Sequence, residues 1–301
     1  MKGGLGNQLF QYALGRHLSI LNKTKLRIDI SFYYFQTDKL LDHRTPCLQY
    51  FNLAFETKKH SKILYPISLL FYRLKSLLIR KYCRIREQIF TDKLGKYIIR
   101  EDFNFDPRIL QLKDNVNLDG YWQNEKYFIE IQDILRQEIR PKEELLKDHI
   151  ELINRIQNCN SVSLHVRRSD KTRTKIHITC KKYYYDTAIE RICTKVSKPN
   201  FYVFSDDIEW VKQKLKIPEP VHFVSEIIKK DYLELYLMSL CKYHIISNSS
   251  FSWWGAWLSA NPNKVVISPK EWYNSKYINE DKLGLKDLIP VDWIRISNWA
   301  E

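Results

Sequence analysis

Residues 161–170 read SVSLHVRRSD. Val162, Leu164 and Val166 alternate with polar neighbours, the period-two pattern of a β-strand, and the stretch ends on two adjacent arginines, Arg167 and Arg168. The same punctuation recurs downstream. A helical run covers 183–197, FYVF (201–204) is a short apolar strand, and IEWVKQKL (208–215) reads as a helix. VHFV (221–224) is a strand, DYLELYLMSLCKY a helix, YHIIS (243–247) a strand, SWWGAWLS a helix and KVVIS (264–268) a strand. Strands alternating with helices predict an α/β fold built on a parallel, doubly wound sheet. Ligands of such sheets bind beyond the carboxyl ends of the strands. The weight therefore falls on Arg167 and Arg168, on Ser205, Asp206 and Asp207, and on Asn248, Ser249 and Ser250.

Upstream, GGLGNQ (3–8) opens a run in which Leu9, Phe10, Ala13, Leu14, His17, Leu18 and Leu21 recur at helical spacing. LRIDIS (26–31) and VNLDGY (116–121) read as strands. Residues 63–86 read as an amphipathic helix with Ile67, Leu70, Phe71, Leu74, Leu77 and Leu78 on one side. Arg73, Lys75, Arg80, Lys81, Arg84 and Arg86 make its end basic. Such a helix either lies on an anionic membrane surface or packs on its own domain. A polar stretch over 142–158 precedes SVSLHV and places a boundary near residue 155. The expectation is two α/β domains, 1–155 and 156–301, facing a cleft, with the last residues packing back on the first domain.

The 301 residues carry 49 Lys+Arg against 35 Asp+Glu, a formal charge of +14, which favours anionic partners. A 44% hydrophobic composition excludes wholesale disorder. No apolar run reaches the ~20 residues of a membrane span, and no secretory signal pattern is visible. Cys47, Cys83, Cys159, Cys180, Cys193 and Cys241 include no C-x-x-C pair, against a zinc site or disulfide framework. A cytoplasmic location is the expectation.

Four motifs carry chemistry. The glycines of GGLGNQ let backbone approach a ligand, and the helix start offers unpaired N–H groups to an anion; a tight turn is the plain alternative. In HVRRSD, alternation places His165, Arg167 and Ser169 on one face, and arginine forks suit phosphate; the alternative is a solvated strand end with Asp170 as a local ion-pair partner. In FSDD (204–207), Ser and Asp are good N-caps, yet a carboxylate or hydroxyl there also suits a base or ribose. SNSSFSWWG (247–255) puts small hydroxyls at a second helix start, and its two tryptophans are expected to pack rather than touch sugar. There is no D-x-D pair, so the positive charge on offer is arginine rather than a bound metal.

These blocks, with DGYWQNEKYF (119–128), resemble the α1,2-fucosyltransferase family in family order. The resemblance runs from residue 3 to about residue 275. It implies a GT-B-type fold of two Rossmann-like domains and an inverting, metal-independent transfer of L-fucose from GDP-β-L-fucose to the 2-OH of a galactoside. GDP-fucose would be the donor substrate, with no cofactor and no metal. The partner would be a galactose-containing glycan, lipid-linked at a membrane face touched by 63–86, and not nucleic acid. By the same resemblance Arg167 and Asn7 are the catalytic residues. Gly4, Gly6, His165, Arg168, Asp170, Ser205, Asp206, Asn248, Ser249 and Ser250 would bind the donor. The family motif commonly has Gly and Tyr where this chain has Ser169 and Lys171. A basic nucleic-acid-binding protein and an inactive glycan-binding relative are the alternatives. The general base has no candidate at this stage.

Gly3 stands third in the chain, where a Rossmann-like order expects a strand before the glycine turn. Either a strand precedes Met1 in a longer form, which would then be the more stable and active one, or the sheet manages without it.

Overall fold

The computed structural model describes residues 1–34, 44–57, 87–92, 95–100, 102–168 and 176–299. The basic segment 63–86, Asp170, Ser169 and Lys171 lie outside them.

The chain opens with α1 (Leu5–Leu21). Leu9, Phe10, Ala13 and Leu14 of this helix are fully buried, as their spacing predicts. It ends in a Schellman turn: Thr24 N–H donates to Ser19 O and Lys23 N–H to Ile20 O, with Lys23 at φ 54°. Two short strands, β1 (Arg27–Ile28) and β2 (Glu56–Thr57), pair in parallel. A second small sheet joins β3 (Glu87–Asp92), β4 (Gly95–Arg100) and β5 (Val116–Asp119). Its first pair is antiparallel and its second parallel. Helices α2 (Gln132–Glu138) and α3 (Ile150–Gln157) lead into the second half. Among the described residues the first half holds these two small sheets. LRIDIS contributes only two paired residues, because Asp29 turns inward to accept from the Ser31 N–H at 2.9 Å. The Met1 amine donates to Asp29 O at 2.6 Å, and Lys2 backbone exchanges hydrogen bonds with the Gln11 side chain.

The second half follows the expected alternation. It runs β6 (Ser161–Val166), α4 (Lys182–Lys195), β7 (Asn200–Ser205), α5 (Ile208–Lys214), β8 (Val221–Phe223), a single turn α6 (Val224–Ile227), α7 (Asp231–Leu240), β9 (Tyr243–Ile245), α8 (Ser250–Leu258), β10 (Val266–Pro269), the short α9 (Glu280–Leu283) and β11 (Ile294–Ile296). The strands form one six-stranded sheet in the order β11-β10-β9-β6-β7-β8, every pair parallel. After β8 the chain returns across β6 to β9, so the order reverses at β6. That is the switch point where a crevice opens at the strand ends.

The two sheet faces are covered differently. Val162, Leu164 and Val166 pack with Tyr184, Tyr185, Ala188 and Ile192 of α4. The opposite face joins a larger apolar cluster that runs through both halves of the chain. Its centre is aromatic. Phe10 of α1 lies 4.6 Å from Trp253 and 5.0 Å from Trp254, and Phe128 stacks on Trp254 at 5.2 Å. Trp253 and Trp254 are fully buried, so they pack as expected, against α1 and Phe128. Among the described residues no helix is long and apolar enough to cross a membrane.

Candidate functional site

A cavity of about 380 Å³ opens beyond the carboxyl ends of β6 and β7, beside the switch point. His165, Arg167, Ser205, Asp206 and Phe251 line it together with Arg44, Ser225, Lys229, Asp231 and Glu234.

Strand parity explains the first group. With Val162, Leu164 and Val166 buried under α4, His165 and Ser163 belong to the other face. His165 is 5% exposed, and its Nδ1 lies 2.9 Å from Ser247 Oγ. Arg167 follows as the chain leaves the sheet. The next arginine is used elsewhere: Arg168 lies over the Trp210 ring at 4.0 Å and pairs with Asp207 at 3.3 Å. Its backbone N–H donates to Asp206 Oδ1 at 2.8 Å and so positions that carboxylate. The FSDD motif divides its labour. Asp207 caps α5 by accepting from Trp210 N–H, while Ser205 and Asp206 face the cavity.

Two helix N-termini meet here. Gly6 of α1 packs on the start of α8 so tightly that a Cβ would fall 2.5 Å from the Ser250 carbonyl carbon and 2.6 Å from Phe251 N. Only glycine permits this approach. It brings the positive ends of two helix dipoles together, and Phe251 of α8 lines the same cavity as Arg167. Ser249 caps α8 by accepting from Phe251 N–H, and Ser250 supplies the backbone against Gly6. Gly4 precedes α1 as an N-cap without a side chain. The buried Asn248 donates to Ile178 O and Trp272 O, both at 2.8 Å, and latches two loops together rather than lining the cavity. Asn7 accepts from Gln123 Nε2 at 2.6 Å. Trp122, at φ 56°, turns the chain in front of Gln123. Two resemblance blocks thereby join at Asn7, although Asn7 is not among the cavity-lining residues.

The cavity lining also carries the carboxylates of Asp206, Asp231 and Glu234. Burial pushes the Glu234 carboxyl up to about 7; the charges of Asp231 and Asp206 add to this, and the Ser225 hydroxyl and Lys229 oppose it. Ser225 is itself held in place, accepting from Ser205 N–H at 2.9 Å. Asp231, Glu234, Ser225, Lys229 and Arg44 were not singled out in the sequence. For Glu234 a signal exists: it interrupts the buried run Leu233, Leu235, Tyr236, Leu237 of α7. Nothing around Arg44 marks it.

Glu234 makes stability pH-dependent. Its folded value of about 7 lies above the ordinary 4.5. The protein binds the extra proton between those values, so stability is full below pH 4.5 and falls as pH rises toward 7. The half-buried carboxyl accounts for roughly 1–3 kcal/mol across that window. Glu234→Gln is expected to be more stable than the unsubstituted protein at pH 8, with the gap narrowing at pH 5. Melting curves at both pH values check this; a gap independent of pH contradicts it.

Among the described residues no group of three or more His, Cys, Asp or Glu side chains could hold a metal ion.

The chain is 33% identical to an α-1,2-colitosyltransferase of Escherichia coli, over 99% of this chain and 97% of that one. It is 28% identical to the O-antigen biosynthesis glycosyltransferase WbnK of Escherichia coli, over 96% and 98%. Among solved structures, NodZ α-1,6-fucosyltransferase soaked with GDP-fucose superposes with a TM-score of 0.48 at 12% identity, covering 89% of this chain and 92% of that one. NodZ from Bradyrhizobium gives 0.47 at 12% identity, covering 85% and 89%. Residues 1–296 match the sequence model of glycosyl transferase family 11, and the chain belongs to that family of glycosyltransferases.

Proposed function

We propose that the protein transfers 6-deoxy-L-galactose (fucose), or a close analogue, from its GDP donor to the 2-OH of a galactoside with inversion, in a GT-B-type cleft. The observation that carries this reading is the mixed charge of the cavity. Arg44, Arg167 and Lys229 bring positive charge to its lining, and Asp206, Asp231 and Glu234 bring negative charge, while the starts of α1 and α8 converge at Gly6.

A nucleoside diphosphate matches that division. The diphosphate takes the guanidinium and the helix N–H groups. Guanine presents N1–H and N2–H₂ donors side by side, and one carboxylate accepts both; adenine offers no such pair. In this reading Glu234 takes the guanine edge. Ser205 and Asp206 suit the ribose hydroxyls.

The chemistry is loss of GDP from the anomeric carbon. Negative charge grows on the β-phosphate as the C1–O bond lengthens, and a preorganised guanidinium stabilises it there. The acceptor hydroxyl attacks the opposite face and inverts the centre. The names of the relatives leave two donors to compare. Colitose is fucose without its 3-hydroxyl, and both are 6-deoxy sugars with the same reacting carbon.

The test is mass spectrometry of lactose or N-acetyllactosamine incubated with protein and GDP-fucose or GDP-colitose, with the new linkage located by NMR. Transfer to the galactose 2-OH is expected from at least one donor. No transfer from either, with no GDP binding, overturns the reading. Activity is also expected to survive EDTA, because the cations proposed to stabilise the leaving group are protein side chains and helix ends. A strict Mn²⁺ or Mg²⁺ requirement, restored on adding the ion back, refutes this.

A further inference from the structure

Gln8 is a polar side chain in the buried face of α1, with no exposed surface. Its amide is fully used. Nε2 donates to Thr45 O at 2.8 Å and to Gly3 O at 3.1 Å, and Oε1 accepts from Cys47 N–H at 2.8 Å. Burying an amide is costly unless each group is paired, so this one is held by the strap 44–47 as firmly as it holds it. The strap has a second anchor. Tyr50 stacks on Tyr232 at 4.3 Å, and Lys142 N–H donates to Tyr50 O at 3.0 Å. Residues 44–50 thus run from the start of α1 to the start of α7.

The strap begins with Arg44, which lines the cavity. Its side chain crosses the first turn of α1. A Cβ built on Gly4 would lie 3.8 Å from Arg44 Cδ and from a guanidinium nitrogen. Arg44 therefore reaches the cavity from beside the α1 N-terminus, and Arg167 from the end of β6.

We propose that Arg44 is a second guanidinium on the donor's diphosphate and that Gln8 is the positioning residue that aims it. This rests on the GDP-sugar reading above. Arg167 is fixed by the sheet, and Arg44 by a side-chain clamp on a loop. The two would share the diphosphate from separate parts of the chain, and the clamp explains why a glutamine stands between Asn7 and Leu9.

The experiment compares GDP with guanosine, which lacks both phosphates, by calorimetric titration. Proteins are the unsubstituted chain, Arg44→Ala, Gln8→Met and the double variant, each checked by its melting curve. Arg44→Ala is expected to weaken GDP about tenfold or more, the scale of a lost charge-assisted hydrogen bond, and guanosine by less than about twofold. Gln8→Met should show the same GDP-selective loss. Adding Arg44→Ala to it should cost little more, since the aim is already lost. Should Gln8→Met not fold, Gln8→Glu takes its place, keeping the volume and the acceptor for Cys47 N–H. An unchanged GDP-to-guanosine ratio in Arg44→Ala overturns the role of Arg44. Equal losses for both ligands in the Gln8 variant, or fully additive losses in the double, overturn the positioning role. Either result leaves the donor reading standing if the unsubstituted protein binds GDP; if it does not, both fall together.

Discussion

Arg167→Ala is expected to lower turnover at least ~100-fold, the scale of removing one preorganised charge-stabilising group. The residue leaves the sheet at the end of β6 and lines the cavity. Arg167→Lys keeps the charge and loses the planar fork, so it should recover only part of the rate. Single-turnover rates at saturating donor separate this from weaker binding. A loss confined to KM would make Arg167 a ground-state anchor, and near-normal turnover in Arg167→Ala would remove it from the mechanism. The neighbouring Arg168 supplies the comparison: it is engaged by Trp210 and Asp207 and should matter less to rate than to the shape of the β6–α5 corner.

The second large effect is expected at Gly6. A methyl there meets backbone on α8, at 2.5–2.7 Å from Ser250 and Phe251 atoms, and backbone cannot rotate aside. Gly6→Ala should cost about 3 kcal/mol or more, the upper end for overpacking, and lower the melting temperature by roughly 6–10 °C. Activity should fall further than stability alone explains, since the two helix starts are pushed apart where the leaving group's charge develops. Gly15→Ala is the control. Its Cβ would meet the flexible end of Leu26 at 2.7 Å, and alanine favours a helix, so little change is expected. Similar melting temperatures and rates for both variants would show that the α1–α8 approach has no special role.

The second half of the fold was legible because its strands are buried on both faces and its helices stand between them. Period-two and helical patterns alternate cleanly from Val162 to Ile267. The first half was harder. LRIDIS has the composition of a strand, yet only Arg27 and Ile28 pair, because local hydrogen bonds to Asp29 take over. Site residues that end strands, such as Arg167, Ser205 and Asp206, are readable because topology says where a sheet binds. Asn248 looks the same in sequence, and only its bonds to Ile178 and Trp272 show a latch. Glu234 was readable in principle, as a carboxylate in an apolar helical face. Arg44 was not: it reaches the cavity from a strap whose next residues, Thr45 and Cys47, are held by Gln8 some 40 residues away in sequence, and no local pattern encodes such a meeting.

The aromatic cluster that joins Phe10 and Phe128 to Trp253, Trp254 and Trp257 bears on recombination between family members. A crossover near residue 155 would separate the half that holds α1 from the half that holds the six-stranded sheet on paper. It would also cut through one interlocked set of rings, whose members come from both sides of the cut. Hybrids that inherit Phe10 and Phe128 from one parent and the tryptophans from another would have to repack that set, and the first casualty would be the α1–α8 junction beside the cavity. Workable hybrids would move these rings as a matched group, with the crossover elsewhere in the chain or the partner positions changed to suit.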